Sequence, residues 1–264
     1  MRVLVLSDLH IEFADYKVRE HDADLVILAG DIGVGEDVAS WIDREFLAGY
    51  KPVVFVAGNH EFYQQNPLDL VNFYRLRFSP PYFFLENSSV EIGKGSERAR
   101  VLGATLWTSL KDGEKDAQHT FDHLSDRHLI GFPRGHLPAL TVRAWHEESV
   151  AWLDAELSKP YDGKTIVVTH HAPLVHAGYL TTKDRPEPFK AGLQPAFSSD
   201  LAWLVEKHEV DLWAFGHTHL DFDEVYAGTR VFSQQRCYPP GGRRLKSERE
   251  QRGMPAFEPK VIEV

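Results

Sequence analysis

Residues 53–61 read VVFVAGNHE, an unbroken apolar run that stops on Gly58 and then delivers Asn59, His60 and Glu61 in succession. A β-branched run with no polar alternation is the pattern of a strand covered on both faces, so the polar residues stand at its carboxyl end. The same construction recurs four more times. Val3 to Leu6 leads to Asp8 and His10, and Leu25 to Ala29 leads to Gly30 and Asp31. Thr165 to Thr169 leads to His170 and His171, and Val210 to Phe215 leads to Gly216, His217 and His219. Six of the 14 histidines fall in these clusters, a concentration that scattered surface histidines would not show.

The intervening stretches carry helical spacing. Thr141 to Leu157, with Thr141 as its cap, places Val142, Trp145, Trp152, Leu153 and Leu157 on one face. Further helices are predicted over Asp200 to His208, capped by Ser199, and over Pro67 to Phe78, with Pro67 in the first turn. Val101 to Trp107 and the pair around Ala227-Gly228 have the pattern of hairpin or meander strands, and Lys260 to Val264 that of a short closing strand. Alternating strands and helices indicate an α/β fold with mixed sheets. The polar stretch 111–138 is expected to form a loop or helical insert, and 239–255, rich in Pro, Gly, Arg and Glu, an exposed or mobile segment.

At 264 residues the chain is long enough for a full core and is expected to form one domain. With 29 Lys and Arg against 39 Asp and Glu, the net charge of -10 argues against a nucleic-acid polymer or an anionic membrane as partner. Val3 to Leu6 is too short for a signal-peptide core, and no run approaches the ~18 apolar residues of a membrane span, so a cytoplasmic location is expected. Nothing in the sequence bears on oligomeric state. Cys237 is the only cysteine, which excludes an intramolecular disulfide and leaves His, Asp, Glu and Asn to hold any metal.

In an open α/β sheet, ligands bind beyond the carboxyl ends of the strands, so the five clusters can converge on one site. An extended chain points residues i and i+2 the same way, which would aim Asp8 with His10, and His217 with His219, at a common centre. Nitrogen and oxygen donors without thiolate suit Mn, Fe, Zn, Co or Ni. Two aspartates, an asparagine and several histidines exceed the set one ion takes from protein, so two ions are expected. A carboxylate shared between them would hold the two ions a few ångströms apart, roughly 3.5 to 4 Å in two-metal phosphoryl-transfer sites.

The ordered motifs D-x-H at Asp8, G-D at Asp31, G-N-H-[ED] at Asn59, a single H at His170 and G-H-x-H at His217, spanning residues 8–219, resemble those of the calcineurin-like metallophosphoesterase superfamily. The resemblance implies a four-layered α/β/β/α sandwich of two mixed sheets. It implies that Asp8, His10, Asp31 and His219 hold one divalent or trivalent transition-metal ion, and that Asp31, Asn59, His170 and His217 hold a second, with Asp31 bridging. Mn, Fe and Zn are the first expectations, Co and Ni the next. His60 matches the histidine that the family places outside the metal shell, near the scissile phosphate. The runs THHAP at 169–173 and TLWT at 105–108 resemble those of small bacterial phosphoesterases.

The implied activity is hydrolysis of a small phosphate mono- or diester by a metal-activated hydroxide, with a protonated His60 stabilising the transition state or giving its proton to the leaving group. The second motif, GDIGVG at 30–35, lacks the Asp-Arg that follows in Ser/Thr protein phosphatases, and no appended DNA-binding domain is visible. A nuclease of the same superfamily and a non-catalytic metal-binding scaffold are the rival readings. Asp126, Arg127 and Arg185 are weighed as phosphate or leaving-group contacts against plain solvated polarity. His171 is weighed as a pocket residue against a packing role, and Glu61 as a supporting residue rather than a catalyst. Phe62, Tyr63, Trp107 and Phe121 are weighed as flanks for a leaving group against core packing.

Overall fold

The computed structural model describes residues 1–47, 51–110, 121–133, 135–178, 194–241 and 244–264. Strands β1 (Arg2–Leu6), β2 (Leu25–Ala29), β3 (Val53–Val56) and β4 (Tyr82–Phe84) run parallel in one sheet. Strand β11 (Val261–Glu263) closes its edge antiparallel to β1. The second sheet is ordered β5 (Ser88–Ile92), β6 (Ala99–Ala104), β7 (Lys164–Thr169), β8 (Leu212–Ala214), β10 (Thr229–Ser233) and β9 (Phe222–Tyr226). Its centre is parallel, and β5 and β9 flank it antiparallel, so both sheets are mixed.

Period-two alternation explains why the strands read as continuous apolar runs. Val3, Val5, Leu25, Ile27, Val54 and Val56 face Val101, Ile166, Val168, Leu212 and Ala214 across the sandwich. The alternate residues Leu4, Leu6, Val26, Leu28 and Phe55 face outward onto α1 (Asp37–Phe46) and α2 (Pro67–Arg77). On the far side, Val167, Trp213 and Phe215 pack against α4 (Ala139–Leu157) and α5 (Ala202–Lys207). The residues of the central strands are therefore buried from one side or the other, which is the four-layered arrangement.

Several boundaries differ from the sequence expectation. Helix α4 starts at Ala139 behind Pro138 rather than at a Thr141 cap. The Ser199 hydroxyl accepts the Ser109 N–H instead of capping, and α5 starts three residues later, at Ala202. Helix α2 begins as expected with Pro67, after the Asn66 side chain accepts from the N–H groups of Leu68 and Asp69. Helix α1 and strands β4 and β5 are additions to the sequence reading. The Ala227-Gly228 turn joins β9 and β10 with both residues at positive φ (49° and 89°), the geometry of a tight hairpin.

Residues 111–120 of the expected insert lie outside the described residues, but 121–133 is anchored. Helix α3 (Asp126–Leu129) sits in it, the Gln64 N–H donates to the Leu129 carbonyl at 2.6 Å, and Tyr63 bridges Ile130. Phe121 and Ile130 are buried. The segment 239–255, expected to be exposed or mobile, carries helix α6 (Glu248–Gln251), which opens with a capping box between Ser247 and Glu250 and buries a single residue, Arg249. Arg249 turns inward to pair with Asp221 and donate to the Gln235 carbonyl, which buries it. No helix among the described residues is long and apolar enough to cross a membrane.

Candidate metal centre

The five strand-end clusters meet at one end of the sandwich. Asp8, His10, Asp31, Asn59, His170 and His219 are all buried, and His217 is half-buried. The i, i+2 argument for Asp8 with His10 and for His217 with His219 does not hold, because none of these residues is extended. Asp8, His10, Asp31, His217 and His219 all adopt left-handed backbone, with φ between 48° and 69°. For a non-glycine residue this costs on the order of 1–3 kcal/mol, and such strain concentrates where a site over-determines the chain. The left-handed turns, rather than an extended chain, therefore set the direction of these side chains.

Two glycines make the convergence possible. A Cβ on Gly58 would meet Asp31 Oδ1 at 2.2 Å, and one on Gly30, at φ 85°, would meet His170 Nδ1 at 2.4 Å. Both positions need a residue without a side chain.

Donor atoms gather in four groups among the described residues, two of which are made of expected ligands alone and share no residue. Asp8, His10 and His219 offer atoms within 4.8 Å of one another, as do Asp31, His170 and His217. His10 Nε2 and His219 Nε2 face each other at 3.1 Å, and His219 Nε2 lies 3.3 Å from Asp8 Oδ1. On the other side, His170 Nε2 lies 3.4 Å from Asp31 Oδ1 and 3.1 Å from Asn59 Oδ1. Asp31 Oδ2 stands 4.0 Å from Nε2 of both His10 and His60, which puts this carboxylate between the two groups.

Each imidazole of the groups is pinned by one ring nitrogen, leaving the other turned inward. His10 Nδ1 meets Glu12 Oε1 at 3.1 Å, His170 Nδ1 meets the Ala29 carbonyl at 2.9 Å, and His219 Nδ1 meets Glu248 Oε2 at 2.5 Å. His217 is held through Nε2, 3.1 Å from the Ala196 carbonyl, so its Nδ1 is the free nitrogen. Histidines that ligate metals are oriented in this way. The donor set and its support therefore fit two cations of nitrogen- and oxygen-loving metals.

The electrostatics agree. Burial opposes charge on His219, but Glu248 and Asp8 outweigh it and push its pKa up to about 10. Asp31 and Asp8 do the same for His170, up to about 9 against burial. His217, buried beside His170, falls to about 3. The Asp31 carboxyl is held well below the usual range despite burial, by His170 and His60. The cluster attracts positive charge to its centre.

Glu61 is the clasp between two of these loops. Its Oε1 accepts from Ile32 N and Gly33 N at 2.7 and 3.2 Å, and its Oε2 from Asp31 N and Gly58 N at 2.9 and 2.6 Å. Burial and the Asp31 charge push its pKa up, to about 7. The N–H donors favour the charged form and oppose that rise without cancelling it.

His60 lies at the mouth of the group, its Nδ1 2.8 Å from Glu12 Oε1 and its Nε2 3.2 Å from the Tyr238 hydroxyl. It also falls within 4.8 Å of the inward atoms of His10 and Asp31, so distance alone does not separate it from the ligand groups. Burial opposes its charged form, but Asp31 and Glu12 raise its pKa above the ordinary value. A cleft of about 240 Å³ opens over this mouth, walled by Tyr63, Ser125, Phe197, Tyr238, Glu248 and Arg252.

The remaining candidates divide. Asp126 reaches the cleft, whereas Arg127 pairs with Asp122 on the surface at 3.0 Å. Arg185 lies outside the described residues. His171 donates from Nδ1 to the Thr105 carbonyl at 3.1 Å and packs between Trp107 and His217, a structural role. Phe62, Trp107 and Phe121 are core, and Tyr63 alone of the four aromatics borders the cleft. Sequence reasoning missed Glu12, although D-L-H-I-E at 8–12 places it two residues past His10. It also missed Tyr238, Glu248 and Arg252, for which the segment's polar composition carried no signal.

Residues 1–221 match the family described as Calcineurin-like phosphoesterase. An uncharacterized protein of Acanthamoeba polyphaga mimivirus is 26% identical over 265 residues, covering 90% of this chain and 92% of that protein. Among solved structures, the Phosphopantetheinyl Hydrolase (PptH) of Mycobacterium tuberculosis superposes with a TM-score of 0.68 at 19% identity. That alignment covers 99% of this chain and 95% of the other, and it shows the shared fold.

Proposed function

The chain belongs to the calcineurin-like phosphoesterase family, and on that premise we propose that it is a dinuclear metal-dependent hydrolase of small phosphate esters. Asp8, His10, Asp31 and His219 would hold one ion, and Asp31, Asn59, His170 and His217 the other. When bound, the ions would supply a water of lowered pKa as nucleophile and neutralise charge on the phosphoryl oxygens. Mn, Fe and Zn fit the donor set best.

The chain's own residues do the rest. Glu12 holds His60 by Nδ1, which leaves the Nε2 proton directed at the cleft beside Tyr238. From there His60 can give that proton to the departing oxygen, a contribution of about 10²- to 10⁴-fold. Tyr63 packs on the His60 ring at 4.3 Å and Phe197 stacks on His217 at 5.0 Å, so both narrow the entrance and limit water.

The observation that carries this reading is the set of four imidazoles, each pinned by one nitrogen and turned by the other toward Asp8 or Asp31. The test is protein stripped with chelator and reconstituted with Mn, Fe or Zn. It would be assayed on aryl monoesters, aryl diesters, cyclic nucleotides and phospholipid head-group diesters. Metal-dependent turnover of at least one class is expected. No turnover of any class with two ions bound would sink the enzyme reading in favour of a scaffold.

A further inference from the structure

A carboxamide ligand has a problem that a carboxylate or imidazole lacks: it can turn either its oxygen or its NH2 toward a cation, and only the oxygen binds. Around Asn59 the structure removes that choice. Asn59 Nδ2 lies 2.8 Å from Asp126 Oδ1 and 3.3 Å from the Tyr63 hydroxyl. The Tyr63 hydroxyl spends its single proton on the same Asp126 oxygen, at 2.7 Å, and so offers Asn59 a lone pair. The two amide hydrogens thus meet two acceptors. A flipped carboxamide would set its oxygen 2.8 Å from a carboxylate oxygen, acceptor against acceptor.

We infer that Asp126, together with Tyr63, is a positioning residue that locks the Asn59 carboxamide with its oxygen toward His170, 3.1 Å from its Nε2. This rests on the proposal above that Asn59 is a ligand of the second ion. The lock comes from a segment 67 residues away in sequence, and its placement is built into the fold. The Gln64 N–H donates to the Leu129 carbonyl, Tyr63 bridges Ile130, and the Ile130 N–H donates back to the Asp126 carbonyl at 3.1 Å. Asp126 is 6% exposed and Ile130 2%. The insert at 121–133 therefore contributes to the second half of the metal centre without offering it a ligand.

The test is Mn²⁺ binding to chelator-stripped protein, followed by calorimetry and by electron paramagnetic resonance, on wild type, Asn59→Ala, Asp126→Ala, Asp126→Asn and Tyr63→Phe. Asp126→Ala should weaken one of the two ions by about 10- to 100-fold, as loss of an outer partner does, and leave the other unchanged. The spectrum of spin-coupled Mn pairs should give way to that of isolated Mn. Asp126→Asn keeps an acceptor oxygen and should restore the second ion. Tyr63→Phe, which removes one neutral hydrogen bond, should weaken it by about 2- to 10-fold.

Asp126→Ala binding both ions like wild type, while Asn59→Ala loses one, would overturn the lock and leave the ligand reading standing. Asp126→Asn as damaging as Asp126→Ala would also overturn it, since charge rather than orientation would then be at work. Asn59→Ala binding both ions normally would instead remove Asn59 from the ligand set, and the lock with it. Circular dichroism of the stripped variants checks folding. Should Asp126→Ala not fold, the other two variants decide: a weakened Tyr63→Phe beside an intact Asp126→Asn supports the lock, and an unchanged Tyr63→Phe overturns it.

Discussion

One carboxylate oxygen of Glu12 lies 2.8 Å from Nδ1 of His60, and the same oxygen lies 3.1 Å from Nδ1 of His10. A single side chain thus orients both an imidazole of the candidate metal centre and the imidazole at its mouth. Despite burial, the bonds from His10 and His60 hold its pKa down, at about 2, so it is ionised under all working conditions.

Glu12→Gln keeps an acceptor but removes the charge that both Nδ1–H groups meet. Turnover of an ester with a basic leaving group is expected to fall by about 10- to 100-fold while metal content stays near wild type. Steady-state kinetics beside metal analysis checks this, and an unchanged kcat would remove Glu12 from the mechanism.

His60→Ala tests the proton donor directly. An activated aryl phosphate expels its leaving group without a proton, so the loss should be larger for an alkyl ester, within the roughly 10²- to 10⁴-fold range of general acid catalysis. Equal loss on both would assign His60 to charge stabilisation or positioning. A drop in metal stoichiometry would place it among the ligands, which its distance from His10 and Asp31 permits.

Removing the metals should destabilise the fold, because Asp8 and Asp31 then stand buried together without the cations that bind only the native state. At free metal 100 times the dissociation constant, one site contributes about 2.7 kcal/mol by mass action. Chelator should therefore lower Tm by several degrees in scanning calorimetry, and Asp31→Asn should show most of that loss even in excess metal. A Tm indifferent to chelator would show that the site is weak.

Glu86 supplies a pH dependence away from the centre. Burial raises its pKa from 4.5 to about 7, although the Thr105 N–H and hydroxyl donate to it. The folded state therefore holds a proton that the unfolded chain has released, so the stabilisation is complete below pH 4.5 and is lost as pH rises through 7. Glu86→Gln retains an acceptor and has no such slope. Its stability relative to wild type should be near zero at pH 4.5 and rise to on the order of 3 kcal/mol by pH 8, measured by urea denaturation. A difference that does not change with pH would mean that the Glu86 carboxyl titrates normally.

What the sequence determined by itself was carried by near neighbours in the chain. Two-sided burial writes itself into unbroken β-branched runs such as Val53 to Val56, and the candidate ligands sit within a few residues of those runs because a strand end is where the chain turns toward the cleft. Hence Asp8, Asp31, Asn59 and the histidines were legible without coordinates. Their aim was not: left-handed turns at Asp8, His10, His217 and His219 replace the extended geometry that spacing implied. Only the tertiary structure decided what holds them in place. Tyr238 meets His60 across 178 residues, Asp126 meets Asn59 across 67, and Glu248 meets His219 from a segment whose composition reads as solvent-exposed. A hydrogen bond between distant residues depends on the path of the chain between them, and local periodicity holds no record of that path.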